Sequence, residues 1–165
     1  MTNDSLVSLI EKMVNAILED MPGYFLVQVR IKPTNNIKVF LDGDQGITIE
    51  TCIKINRKLY AQIEEEQVFP DGDFSLEVSS PGVGEPLLQL RQYFKNVGRW
   101  VKVTAIAGQS LVEGEEVAEL EGELKSVDEN GILLETSSGK GKKQQVKQQS
   151  VLFNNIKTTS VQIKF

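Results

Sequence analysis

Histidine is absent from this chain of 165 residues. That removes Ser–His and Cys–His nucleophile pairs, and any His-ligated zinc, from the candidate chemistries. There is a single cysteine, Cys52, so no disulfide can close within the chain. A reducing compartment, the cytoplasm, is the expectation. No apolar run comes near the roughly twenty residues of a membrane span. The first residues, Met1-Thr2-Asn3-Asp4-Ser5, lack the basic-then-apolar order of a secretory signal.

Acidic residues are missing from everything after Glu135. All 23 of them lie at or before that position, against twelve of the 18 cations, so the first 135 residues carry −11. The remaining thirty hold six lysines and no acid. The whole chain, at −5, is not the strongly basic footprint of a general nucleic-acid binder. The basic end could still meet an anionic surface. The plainer reading, a solvated lysine-rich loop and tail, stays open beside it.

What is present is a set of short periodic segments. Residues 4 to 21 carry Leu6, Leu9, Ile10, Met13, Val14, Ile17 and Met21 at helical spacing. Asn3, Asp4 and Ser5 offer the cap, and Pro22-Gly23 the stop. Phe25, Val27, Val29 and Ile31 alternate on one face of a strand. Pro33-Thr34-Asn35-Asn36 turns the chain into a second strand with Ile37, Val39 and Leu41, which predicts an antiparallel hairpin. Thr48 caps a helix running to about Glu64. Its expected buried stripe is Ile49, Cys52, Ile53, Leu59, Tyr60 and Ile63, with Asn56 alongside. Lys54, Arg57 and Lys58 fall on the opposite face, where Lys54 can pair with Glu50 one turn earlier. A third strand, with Phe74, Leu76 and Val78 on one face, enters by a helical crossover and should run parallel to the second.

The pattern then breaks. Ser79-Ser80-Pro81-Gly82 stops the strand, and Gly84 and Pro86 follow within six residues of Pro81. Pro81 has no N–H for a ladder, and Gly82 can adopt positive φ. The expectation is a stiff hinge, Ser79, Ser80, Pro81, Gly82 and Pro86, between two small domains. Residues 1–83 form an α-β-β-α-β layer of two helices on a three-stranded sheet. Residues 84–165 begin with a short helix, with Leu87, Leu90, Tyr93 and Phe94 on one side. Short strands then follow, among them one with Leu120 and Leu124 inward and Gly122 at a bend, and one after an Asn130-Gly131 turn. Residues 136–149, with Lys140, Lys142, Lys143 and Lys147, read as a basic hairpin, mobile by composition, whose arms are strands. Such a run predicts a small SH3-like or Sm-like β-barrel, giving an α+β chain overall.

Few residues here compose chemistry. Asp42 with Asp44, and Asp71 with Asp73, could hold a hard cation, but both pairs sit where turns favour Asp and Gly. Phosphate-loop and dinucleotide fingerprints are absent. Cys52 reads as a small core residue. An interaction module is favoured over an enzyme built on Cys52 or Asp42/Asp44, and no metal or cofactor is expected.

The segments Asp42-Gly43-Asp44-Gln45-Gly46-Ile47-Thr48-Ile49-Glu50-Thr51-Cys52, Asn56-Arg57, Leu76-Glu77-Val78-Ser79-Ser80-Pro81-Gly82 and Pro86-Leu87 together resemble the bacterial ribosome maturation factor family RimP. Gly98 and Glu121-Gly122-Glu123-Leu124 add weaker likeness. The chain departs from the family pattern at Glu85, where an arginine is usual, and at Asn56, where serine is usual; Arg57 is kept.

The resemblance implies an N-terminal α/β domain, a C-terminal Sm-like barrel and no catalysis. It implies an assembly factor that binds the free, immature small ribosomal subunit late in its maturation. The implied partners are ribosomal protein twelve of the small subunit and nearby rRNA, met by a monomer. Lys54, Arg57, Lys58, Lys140, Lys142, Lys143 and Lys147 are the candidate rRNA contacts. A general RNA-binding module not tied to the ribosome is the alternative, disfavoured by net charge and by the lack of clustered aromatics for base stacking.

Overall fold

The structure, a computed structural model, describes residues 2–82, 84–138 and 145–163. It is α+β, and it divides into two compact units, Met1–Pro81 and Gly82–Phe165.

In the first unit, α1 spans Asn3–Leu18. Its cap is Thr2, one residue earlier than expected, because the Thr2 hydroxyl accepts the Ser5 N–H at 3.1 Å. Ile10, Met13, Val14, Ile17 and Leu18 are buried, and Met21 closes the turn behind the helix by donating to the Leu18 carbonyl. Strands β1 (Tyr24–Lys32) and β2 (Asn36–Gly43) pair antiparallel as expected.

The facing of β1 is corrected by a bulge. Leu26 pairs with Leu41, but the next pair is Gln28 with Phe40, so Val27 is an extra residue. One extra residue swaps the faces of everything before it. Tyr24 and Leu26, not Phe25 and Val27, therefore join Val29 and Ile31 against the helix-side core.

Helix α2 covers Ile49–Glu65, with the Thr48 hydroxyl accepting the Thr51 N–H. Its buried stripe is Cys52, Ile55, Leu59 and Ile63. Ile49 (80% exposed), Ile53 (46%) and Tyr60 (38%), expected inside, lie outside. Spacing alone allowed two overlapping apolar stripes; the sheet takes the one containing Ile55. Burying each such aliphatic side chain contributes about 1.5–3 kcal/mol.

Strand β3 (Ser75–Ser79) runs parallel to β2, giving the order β1-β2-β3 with β2 central. α1 and α2 pack on one face around Ile37, Val39 and Leu41. The outer-facing register sets Gln28, Phe40 and Ser79 in one row, Arg30, Lys38 and Glu77 in the next, and Lys32, Asn36 and Ser75 in a third. Arg30, Lys32, Ser75 and Glu77 on that face are exposed.

The second unit starts with α3 (Leu90–Lys95). The Gln92 side-chain carbonyl accepts the N–H groups of Leu88 (2.7 Å) and Gln89 (2.8 Å), satisfying donors at the helix start. Gln92 and Tyr93 turn inward, while Leu90 and Phe94, expected on the buried side, are exposed.

Strands β4 (Trp100–Ala105), β5 (Glu119–Val127), β6 (Gly131–Ser138), β7 (Gln145–Leu152) and β8 (Ile156–Val161) form one antiparallel sheet ordered β7-β6-β5-β4-β8. The last strand lies beside the first, which is compatible with an SH3-like or Sm-like barrel, and no β7–β8 ladder closes it among the described residues. Gly122 serves close approach, since a Cβ there would lie 2.6 Å from the Glu135 carbonyl oxygen.

The β5–β6 turn is held by Asp128, whose carboxylate accepts the N–H groups of Asn130 (2.7 Å) and Gly131 (3.0 Å). On the strands, Glu123 stands opposite Glu135, and Lys125 bridges both carboxylates. Hydrogen bonds to Glu123 and then Glu135 hold the Lys125 ammonium well above the usual lysine range. The core gathers Tyr93, Val101, Val103, Leu111, Leu124, Ile132, Leu134 and Val151.

Candidate nucleic-acid interface

Lys54, Arg57 and Lys58 are brought together by one turn of α2. All three are exposed. With Glu50 and Ile53 they line a surface depression of about 420 Å³. The expected Lys54–Glu50 pair is not made, and none of the three cations takes an ion-pair partner among the described residues. Three unpaired cations against one carboxylate leave a local positive surface on an acidic protein. Its floor is apolar, because Ile53 sits between the charges and Ile49 is exposed one turn earlier. Helical spacing places both isoleucines in the core, and their exposure corrects that; Ile49 and Ile53, four residues apart and flanked by Glu50 and Lys54, are the signal of the mixed surface.

Asn56, next to Arg57, faces the other way. Its side-chain amide donates to the Leu76 carbonyl at 3.3 Å, joining α2 to β3. The two sequence signatures, one on the helix and one on the strand, thus meet in space.

Cys52 is 6% exposed, and burial pushes its thiol pKa up, the opposite of what a nucleophile needs. Asp42 is buried, with its carboxylate accepting the Gly43 N–H at 2.8 Å. Among the described residues no three Cys, Asp or Glu side chains gather as a metal site.

On the basic hairpin, β6 and β7 are its arms, and Lys147 pairs in register with Thr136 and is exposed. Lys140, Lys142 and Lys143 lie outside the described residues.

The segment that follows β3 makes specific backbone contacts. Ser79 ends β3. The Glu85 N–H donates to the Gly82 carbonyl at 3.2 Å, forming a turn. The left-handed residue is Gly84 (φ 88°), not Gly82 as expected. Pro86 forms an isolated bridge to Ser160, and the Leu87 N–H donates to the Thr159 carbonyl at 2.7 Å. Pro86 therefore does more than break the chain. It docks on the outer edge of β8, where a missing N–H is tolerated.

Residues 13–84 match the family model described as the RimP N-terminal domain. A ribosome maturation factor RimP from Christiangramia forsetii is 34% identical over 162 residues, covering 94% of this chain and 97% of the relative. One from Flavobacterium psychrophilum is 33% identical, covering 94% of this chain and 96% of the relative. One from Chlorobium limicola is 36% identical over 141 residues, covering 74% and 80%. The match runs the length of both units, through the helix that carries Arg57 and the strand that Asn56 anchors, and the chain belongs to the RimP family of ribosome maturation factors.

Proposed function

We propose that this chain acts in ribosome maturation as a non-catalytic assembly factor in the cytoplasm. It binds the free, immature small subunit and assists a late folding step. The observation that carries the anionic contact is the unpaired triad Lys54, Arg57 and Lys58 around Ile53 on α2. Exposed cations without internal partners lose little when they meet phosphate, and each releases counterions on doing so. The acidic remainder of the first 135 residues suits a basic ribosomal protein, and protein twelve of the small subunit is the proposed partner. Lys140, Lys142, Lys143 and Lys147 extend the rRNA contact from the second unit. Ser79, Ser80, Pro81, Gly82 and Pro86 form the hinge through which both units reach one site.

The mechanism is a shift of populations. Binding one RNA–protein arrangement better than its alternatives raises that arrangement's share by the affinity difference, about tenfold per 1.4 kcal/mol. Release follows when the mature arrangement removes the preferred contacts. A modest positive patch on an acidic protein favours that release, since strong unspecific phosphate binding would hold the factor on any RNA.

The test is a pull-down from lysate, followed by sedimentation of the captured particles. Immature small subunits are the expected cargo, with affinity falling as salt rises. Co-sedimentation with mature subunits or polysomes alone would refute the proposal. Equal affinity for any single-stranded RNA would favour the general RNA-binding alternative.

A further inference from the structure

The face of the N-terminal sheet turned away from α1 and α2 carries its own arrangement. The Arg30 guanidinium lies 5.4 Å from the centre of the Phe40 ring, and its Nε donates to the Gln28 side-chain carbonyl at 2.9 Å. A planar cation is thereby fixed over an aromatic ring. Lys32, exposed at the next outward position of β1, has no ion-pair partner among the described residues. Lys38, at the middle of the face, approaches Glu77 at 3.7 Å with both side chains solvent-exposed, a pair worth little.

We propose that this outer sheet face is a binding site for an unpaired RNA base. The base lies on the Arg30–Phe40 pair, and Lys32 takes a flanking phosphate. Three features favour RNA over a protein partner. Phe40 is the one large apolar side chain among the nine outward positions of the three rows, and Phe25 and Val27, which precede those rows on β1, are only 7% and 5% exposed, so a protein side chain finds little open apolar surface to anchor on. Bases, unlike aliphatic side chains, gain from stacking on aromatic rings and on guanidinium planes. Those three rows carry three cations to one acid, complementary to a phosphate chain, and Asp42 in the adjoining row is buried. This goes beyond the α2 patch, which offers charge around an aliphatic floor but no flat stacking surface.

The site is tested with the full chain and a short single-stranded RNA carrying 2-aminopurine, whose fluorescence reports stacking. Binding should quench it. Arg30→Ala should weaken binding about tenfold, within the range measured for loss of one stacked base. Arg30→Lys is the sharper variant. It keeps the charge and removes the plane, so the salt dependence should stay while the quench disappears. Lys12→Ala, exposed on α1 on the other side of the sheet, should change neither. An unchanged quench in Arg30→Lys overturns the proposal. So does binding without any quench, or a duplex that binds as well as the single strand. None of these readouts uses ribosomal particles, so a failure here is separable from failure of the pull-down.

Discussion

The Tyr93 hydroxyl donates to the Thr159 hydroxyl at 2.8 Å, joining α3 to β8 across 66 residues of sequence. Tyr93 is 7% exposed and Thr159 is fully buried, so the bond has no water to replace it. Tyr93→Phe should destabilise the second unit by about 1–2 kcal/mol, because the Thr159 hydroxyl then stays buried with a lost partner. Adding Thr159→Val should cost less than the sum of the two single changes. Urea unfolding of the four proteins, followed by Trp100 fluorescence, gives the cycle. Strict additivity would mean that the bond contributes nothing.

Stability should be flat through neutral pH and fall on the alkaline side. No histidine is present to titrate between about pH 5 and 8. Burial pushes the Cys52 thiol above its ordinary 9.0. Burial likewise pushes the Tyr93 phenol above 10.0, partly offset by its bond to Thr159. In each case the unfolded chain releases the proton first, so stability present below the unfolded value is lost as pH rises through the folded one. The first unit should weaken above about pH 9 and the second above about pH 10. Urea midpoints measured from pH 7 to pH 11 check the order, and Cys52→Ala should flatten the earlier fall.

Replacing Lys54, Arg57 and Lys58 together by alanine should leave stability within about 0.5 kcal/mol, since the three side chains are exposed and unpaired. Affinity for immature subunits should drop, and the slope of log affinity against log salt should shrink by about two. A salt titration of the pull-down reads both effects. An unaltered slope would remove α2 from the rRNA contact.

The link separates its two glycines. Gly84, at φ 88°, should resist substitution, with Gly84→Val costing about 1 kcal/mol or more. Gly82 has a conventional φ, and the nearest atom to an added Cβ is a Glu85 side-chain carbon at 3.9 Å. Gly82→Ala should therefore be tolerated, with a gain of a few tenths of a kcal/mol from restricting the unfolded chain. Thermal unfolding of both variants checks the contrast.

Element type and order were legible because helix and strand periods differ. The α-β-β-α-β order, the parallel β2–β3 pair and the Thr48 cap all follow from local patterns. Facing was not. An extra residue such as Val27 leaves alternation intact on either side of it, so only the partner strand reveals the bulge. The stripe of α2 was ambiguous because isoleucines stand at 49, 53, 55 and 63, and the choice of Ile55 over Ile53 is made by the sheet. Composition and spacing put Lys54, Arg57 and Lys58 on one surface. Arg30 and Phe40 could not be paired that way, since their proximity depends on hairpin register across ten residues.

The docking of Pro86 and Leu87 on β8 has a consequence for how the chain is made. The first unit is a compact body that ends at Pro81, so it can fold while the remainder is still being synthesised. The partners of Pro86 and Leu87 are Ser160 and Thr159, which leave the ribosome about seventy residues afterwards. Pro86 and Leu87 therefore stay undocked until β8 has been made. A chain truncated before β8 would carry a finished first unit, with Pro86 and Leu87 left without their partners.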